Sequence, residues 1–426
     1  KSAAAFPEIT LFQPANSSHS QVRSAMETIC MGCKDETCSF EPMKLQRREL
    51  SDLDVLIEMK YCGVCHSDLH IAAGHMAGLF GKPEYPCVPG HELAGVVKQI
   101  GSKVTKFSVG DHIGVGCLVD SCLECNKCQA GNEQKCKKQV GTYGGKDWSG
   151  RAKVPGREQT IGGYTSIMVV QERFGIKIPK SYPLEMAGPV MCAGITMYDP
   201  LKAFKAKPGD KVGIVGLGGL GVMGVKLAKA LGCHVVAMSR SESKRAFAVD
   251  TCGATDFLAS SDSAQLAAHA RSFDLILNTI PAAHDESIYT ALLKSKGNHV
   301  LLGLNACTFG AAAVSAISFG KSKVTFSAIG GILNTQEVID LCDKNKIYPE
   351  IEIHSVTELN RIYEKLDSSN DAGKRYVLDI ANTLNESTFS KSTGEATKLG
   401  PAEAVAMSSI LKKVASLLVA PVTTFC

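Results

Sequence analysis

The stretch "VGIVGLGGLGVMGVKLAKALG", Val212 to Gly232, decides the fold. It sets Gly216, Gly218 and Gly221 in the order G-x-G-x-x-G, behind an apolar run and at the head of a helix-forming segment. The glycines alone are a weak signal; a strand before them and a helix after them are the context in which they mark a dinucleotide site. Glycine permits the tight turn and lets the backbone approach a pyrophosphate, and the helix N-terminus adds amide donors and the positive end of its dipole. Gly216, Leu217, Gly218, Gly219, Leu220 and Gly221 are therefore expected to cradle the phosphates of a cofactor.

The second strand of such a unit selects the cofactor, because an acid at its end grips a free ribose hydroxyl. Here the strand is "HVVAMS", so Ser239 stands at the acid's place, with Arg240, Ser241, Lys244 and Arg245 close behind. A 2′-phosphate calls for hydroxyl donors and cations and is repelled by a carboxylate. The reading is NADP(H), with Glu242 pointing to solvent.

Outward from this segment, "KVGIVG", "HVVAMS", "FDLILNTI", "NHVLLGL" and "VTFSAIGG" alternate with helical stretches, the pattern of a doubly wound parallel sheet in an α/β protein. Before Gly194 the pattern differs. Short apolar runs between Gly and Pro turns, from about 40 to 190, predict a β-rich domain. Residues 194–331 are expected to form the cofactor domain, and 332–381 to return to the β-rich domain that begins at 29–193.

Residues 1–28, rich in Ser and Ala, are expected to be a loose extension: a plain cytosolic tail or the remnant of an organellar leader. Residues 382–426 form a second extension. In it Ile410, Leu411, Val414, Leu417 and Leu418 share one helical face, expected to dock on the chain itself, a sister subunit or another partner. No apolar run reaches the length of a membrane span.

"SCLECNKCQAGNEQKC" carries Cys122, Cys125, Cys128 and Cys136, close enough to enclose one tetrahedral zinc. A finger that reads nucleic acid, a structural staple and a redox relay are all open to such a knot. The 46 basic and 42 acidic side chains are too balanced for a phosphate-binding footprint, which argues against nucleic acid. Elsewhere, Cys65 in "YCGVCHSDLH", His91 and Glu92 in "YPCVPGHELAG", and Cys192 in "VMCAGIT" offer sulfur, imidazole and carboxylate. Two sulfurs and one nitrogen leave a fourth zinc position for substrate, although Cys192 by itself reads equally well as a buried thiol. An odd total of seventeen cysteines with one tight cluster suits a reducing compartment; Cys30, Cys33 and Cys38 read as free thiols, and Cys87, Cys117, Cys233, Cys252, Cys307 and Cys342 as core. His75 reads as a local histidine, and the cytoplasm is the expected location, with an organelle as alternative.

Taken in order, "GVCHSDLH", "VPGHE", the four-cysteine lobe, "CAGIT" and "GLGGLG" resemble the zinc-dependent medium-chain alcohol dehydrogenases. Within them the chain is most similar to the cinnamyl-alcohol-dehydrogenase-like branch, which includes broad NADPH-dependent aldehyde reductases. The resemblance spans about residues 40–381 and implies a GroES-like catalytic domain, a Rossmann domain and a cleft between them. It implies two zinc ions: a catalytic one on Cys65, His91 and Cys192 with Glu92 beside it, and a structural one in the lobe, 117–137. Asp68 is then expected to orient the imidazole. Ser67 would hold the substrate oxygen and pass its proton through the cofactor ribose to His70. Thr196, Thr279, Gly303 and Ser327, Ala328 and Ile329 would hold the cofactor, with Arg375 on its phosphates. The implied reaction is reversible hydride transfer between NADPH and an aldehyde, in a homodimer. A related C=C or C=N reductase, or a dehydrogenase-like scaffold, are the alternatives. Three departures stand out: extra residues between His70 and His91, Val222 where a His is usual, and the loop "GGKDWSGRAKVPGREQTIGG" with the only tryptophan, Trp148. Both loops are expected to shape the pocket.

Overall fold

The computed structural model of the protein describes residues 25–282, 284–303, 324–368 and 373–391. Most of the first extension and the helix expected over 401–422 lie outside them.

The chain opens with an antiparallel hairpin, β1 (Met26–Cys33) and β2 (Phe40–Arg47). It continues through β3 (Asp54–Gly63), β4 (Glu92–Ile100), β5 (His112–Val115), the short pair β6 (Leu118–Asp120) and β7 (Val140–Gly141), then β8 (Ile167–Gln171) and β9 (Gly175–Lys177). After these come β10 (Lys211–Val215), β11 (His234–Ser239), β12 (Asp256–Ala259), β13 (Phe273–Asn278), β14 (Leu293–Leu301) and β15 (Val324–Phe326). The chain then returns through β16 (Ile351–His354) and β17 (Arg375–Asp379) to the first sheet, whose order is β16-β17-β3-β4-β5-β9, with β8 also on β3.

Register in this first sheet gathers chemistry at one end. Gly63 on β3 pairs with Glu92 on β4 and with Val377 on β17. Cys65, His91 and Arg375 each lie within two residues of those partners, so strand pairing alone brings them together. Gly63 is required there: a Cβ on it would lie 2.0 Å from Glu92 Oε2. The turn into His91 is braced from one side, where Gly162, Gly163 and Tyr164 donate backbone N–H groups to Val88, Gly90 and Pro89. The buried Arg47 guanidinium in turn bonds the carbonyls of Ile161 and Gly162 at 2.8 and 2.6 Å.

The second sheet is wholly parallel, in the order β12-β11-β10-β13-β14-β15. Both faces are covered, which is why its strands read as unbroken apolar runs. Along β11, Val235 and Ala237 pack under the helix Gly219–Ala230, while Val236 and Met238 join Leu258 and Ile276 on the other face. Val222 is 1% exposed within the first of these clusters, so it belongs to the helix–sheet contact. Strand order reverses between β10 and β13, and ligands of open parallel sheets bind at such a switch point.

The thiols near the start are buried: Cys33 faces Cys87 across an isolated bridge, and Cys30 and Cys38 lie beside them in the same core. They are free, and no third group of metal-holding side chains forms among the described residues.

On β14, His299 is fully buried, with Nδ1 3.2 Å from Thr290 Oγ1 and no partner for Nε2 among the described residues. Burial, aided by the charge of His284, pushes its pKa down to about 4. A group held neutral by the fold favours the native state fully above its unfolded pKa, near 6.5, and loses that contribution as pH falls toward the native value. At about 1.4 kcal/mol per pH unit, the protein should lose about 2 kcal/mol through this group between pH 6.5 and 5. Urea denaturation at the two pH values should show a correspondingly shallower loss in His299→Gln; an unchanged slope would exclude His299 as the cause.

Candidate active site

Cys65 begins the helix His66–Ala72 in an extended conformation, and its backbone N–H donates to Asp68 Oδ2 at 2.8 Å. Asp68 is fully buried and also accepts from His91 Nδ1 at 2.9 Å, Gly90 N at 3.2 Å and the Tyr164 hydroxyl at 3.1 Å. That fixes the His91 ring so that Nε2 faces inward, 3.2 Å from Cys192 Sγ. Cys192 sits in a wide π-type turn, Val190–Gly194, a distortion frequent at functional sites. The ligand-type atoms of Cys65, His91, Glu92 and Cys192 all lie within 4.8 Å of one another.

The electrostatics of this group favour a cation. A hydrogen bond from Cys192 holds the Cys65 thiol well below its ordinary pKa against the effect of burial, with Arg375 and His91 assisting. Burial drives the Glu92 carboxyl up to about 7, even with the Arg375 guanidinium 3.1 Å from Oε1. That approach is off the hydrogen-bond direction, so both Glu92 oxygens and the Nε and Nη2 of Arg375 stay without an aligned partner. The orphaned Glu92 oxygens, next to two sulfurs and an imidazole, fit a zinc site that keeps an open position.

One thiol departs from expectation. Cys117, expected in the core, is only half-buried and lines the cleft, where a hydrogen bond with Cys192 lowers its pKa. Its apolar neighbours in sequence hide that, because β5 ends just before it and turns it toward the cleft. Tyr143, which carries no mark in the sequence, stacks on the His91 ring at 5.8 Å and 24°.

The lobe brings its four sulfurs together: Cys122 lies 3.8 Å from Cys128 and 3.5 Å from Cys136, and Cys125 lies 3.6 Å from Cys128. Backbone N–H groups of Cys125 and Lys138 point at Cys122 and Cys136, each at 3.3 Å. The first of these lowers the Cys122 thiol to about 6, while burial raises Cys128 to about 12. Four sulfurs with amide support and no open position fit a closed structural zinc.

A cleft of about 1540 Å³ joins the first cluster to the switch point of the parallel sheet. Gly216, Leu217, Gly218, Gly219 and Leu220 line it; Gly218 has nothing within 4 Å of a Cβ built there, leaving room for phosphates. Gly221 does not line it. A Cβ there would lie 1.9 Å from the Gly216 carbonyl oxygen, so this glycine serves the helix–strand contact. Ser239, Arg240, Lys244, Thr196, Thr279, Gly303, Ser327, Ala328, Ile329 and Arg375 all reach the cleft. Ser241 does not; its hydroxyl meets Ser243 at 2.8 Å. Arg245 is drawn away by Glu242, at 2.7 Å, and by Asp256. Arg240 and Lys244 make no ion pair among the described residues, and burial with the Arg240 charge lowers the Lys244 pKa, as two cations without a counter-charge require.

Between the two halves, Ser67 Oγ lies 3.7 Å from Cys65 Sγ, and His70 lies one helical turn further on. His70 Nδ1 is 3.3 Å from His75 Nδ1, so His75 is a partner of the site. Burial, then the charge of His75, lowers the His70 pKa to about 4, which leaves the ring neutral and able to accept or give a proton. The loop Gly144–Gly163 lines the cleft through Lys146 and Gln159, while its Trp148 packs beside the lobe, its Nε1 donating to the Lys138 carbonyl at 2.8 Å.

Residues 51–180 match the alcohol dehydrogenase GroES-like domain and residues 219–344 the zinc-binding dehydrogenase family. The chain is 42% identical over 357 residues to the aldehyde reductase YahK of Escherichia coli (strain K12), a match covering 83% of this chain and 98% of that protein. It is similar in structure to a cinnamyl alcohol dehydrogenase of Sorghum bicolor, at 35% identity and TM-score 0.76, over 85% of this chain and 100% of the other. A CAD from Helicobacter pylori complexed with NADP(H) is similar at 35% identity and TM-score 0.74, over 84% and 100%. Likeness of this depth along the full length of its relatives is family membership, and the chain belongs to the zinc-dependent medium-chain alcohol dehydrogenases, in the branch that holds the cinnamyl alcohol dehydrogenases.

Proposed function

We propose that the protein is an aldehyde reductase and alcohol dehydrogenase that uses NADPH. Cys65, His91 and Cys192 would hold a catalytic zinc, with Glu92 beside them, and Cys122, Cys125, Cys128 and Cys136 a structural one. The observation that carries this reading is the shared cleft: the Cys65–His91–Glu92–Cys192 group and the Gly216–Leu220 turn open into one cavity, with Ser67 and His70 in it. When bound, the metal polarises a carbonyl oxygen and NADPH supplies the hydride.

The side chains have separable tasks. Asp68 orients His91 through its Nδ1–H, which leaves Nε2 free for the metal. Ser67 would donate its hydroxyl proton to the substrate oxygen, and His70, neutral and hydrogen-bonded to His75, would take up a solvent proton on one ring nitrogen as it passes one on towards Ser67 from the other. Thr196, Thr279, Gly303 and the stretch Ser327 to Ile329, which line the cleft, would hold the cofactor, with Arg375 towards its phosphates. Ser239, Arg240 and Lys244 would take the 2′-phosphate, with Ser241 between them in the chain.

Residues 29–193 and 332–381 are read as the catalytic domain and 194–331 as the cofactor domain, because the two sheets divide along those lines. The resemblance supports a homodimer, which sedimentation would test. Buried free thiols and thiolate zinc sites suit the cytoplasm or another reducing compartment. Among the described residues no helix is long and apolar enough to cross a membrane.

Absorbance of reduced nicotinamide, followed with NADPH or NADH and a panel of aromatic and aliphatic aldehydes, tests the reading directly. NADPH should be consumed and NADH nearly spared, and zinc chelation should abolish the reaction; indifference to the coenzyme or to the chelator would overturn it. Ser239→Asp should lower kcat/KM for NADPH by about 100-fold, through repulsion of the 2′-phosphate. Cys65→Ser and His70→Ala should each cut turnover by about 100-fold while thermal melting stays cooperative. Full activity in both variants would remove these residues from the mechanism.

A further inference from the structure

We propose that Glu84 determines which aldehydes are accepted, by clasping together the two loops that wall the outer cleft, and that the four-cysteine lobe braces the same wall from behind. The inference rests on the aldehyde-reductase reading and deepens it. The first loop, between His70 and His91, contributes Ile71, Met76 and Pro83 to the lining; the second, after β7, contributes Tyr143, Lys146 and Gln159.

The contacts between the loops are reciprocal. Glu84 Oε2 accepts the backbone N–H groups of Glu158 and Gln159 at 3.1 and 2.8 Å. The Glu84 N–H donates to Gln159 Oε1 at 2.9 Å, and Gln159 Nε2 donates to the Lys82 carbonyl, also at 2.9 Å. Arg157 Nη2 adds a bond to the Glu84 carbonyl at 2.9 Å. Gln159 is only 7% exposed and touches the cleft itself, so the clasp and the wall share one side chain.

The second loop then runs on to the lobe. Asp120, 1% exposed and two residues before Cys122, accepts from Ser149 Oγ at 2.6 Å and from Arg151 Nε and Nη2 at 3.2 and 3.0 Å. Arg151 also bonds the Ser121 carbonyl at 2.7 Å. The loop is thus tied at its base to the first loop and at its tip to the lobe. Neither tie touches Cys65, Ser67 or His91. A small aldehyde needs only that inner end, whereas an extended, ring-bearing one takes its remaining contacts from the wall, where side chains must be held in place to discriminate.

The test compares acetaldehyde with cinnamaldehyde, using NADPH and the full-length zinc-loaded enzyme. In Glu84→Ala, KM for cinnamaldehyde should rise about tenfold. KM for acetaldehyde, kcat for both and NADPH affinity by fluorescence should stay within about twofold. Glu84→Gln, which keeps an acceptor oxygen for the two N–H groups, should recover most of the loss. Arg151→Gln should shift the same ratio in the same direction by a smaller factor. Equal effects on both aldehydes, or no effect in a variant that melts like the parent, would overturn the proposal. A parent enzyme that reduces neither aldehyde overturns the functional reading and the inference with it; one that reduces acetaldehyde upholds the first whatever the variants do. If Glu84→Ala does not fold, the KM ratio of Arg151→Gln, a residue outside the cleft lining, decides between the same two outcomes.

Discussion

A carboxylate with no exposed surface is tolerated in a protein interior only when its lone pairs are spoken for, and Asp68 has that need. Its oxygens are met by the N–H of Cys65, the N–H of Gly90, the His91 ring and the Tyr164 hydroxyl. These donors come from the start of a helix, the turn into β4 and the loop that braces that turn. One desolvated charge therefore draws three separate segments to a common point, and two of the segments carry ligand-type side chains. The hydroxyl of Tyr363, 3.4 Å from that of Tyr164, extends the same network to the helix Leu359–Ser368, which joins the sheet through the return of the chain.

What can be read from residues alone follows the range of the contacts. The glycine turn, the four-cysteine lobe and the pair Cys65–Asp68 depend on neighbours a few positions away, so spacing reveals them. Convergence of Cys65, His91 and Cys192 depends on strand register and on a turn far along the chain; their chemistry suggests a zinc set, but Cys192 alone reads equally well as a buried thiol, and the resemblance to a known family is what singles it out. Tyr143 and Tyr164 carry no local mark, since an aromatic residue in a β-rich region looks like core. Cys117 is hidden for the same reason, because an apolar flank says nothing about which way the end of a strand turns.

The cofactor side shows how charge in a sequence is reassigned by folding. Arg240, Lys244 and Arg245 look equivalent in "RSESKR". Glu242, three residues before Arg245 on one short turn, captures that guanidinium, with Asp256 on the adjacent strand as a second partner. The acid that looks out of place beside a phosphate site thereby takes one cation out of it. It leaves in the cleft Arg240 and Lys244, the two cations of the run that make no ion pair among the described residues.

The lobe raises the question of why a reductase keeps a zinc-type knot with no room for substrate. Its buried acids give the answer. Glu133, 1% exposed, accepts Arg173 Nη2 at 2.8 Å with one oxygen and the Ile332 N–H at 3.1 Å with the other. Ile332 opens the helix Ile332–Asn345, so that carboxylate also meets the positive end of a helix dipole. Asp120, on the other flank, holds the loop that walls the cleft. Loops of this length are soft unless something rigid holds their far ends. A closed tetrahedron of four sulfurs is such an anchor, with one acid directed to the helix behind the cleft and one to its outer wall. The cluster suited to an open metal position is thus kept apart from the one suited to a closed position, and the carboxylates of the closed one reach the walls of the cleft instead of the ligand-type side chains within it.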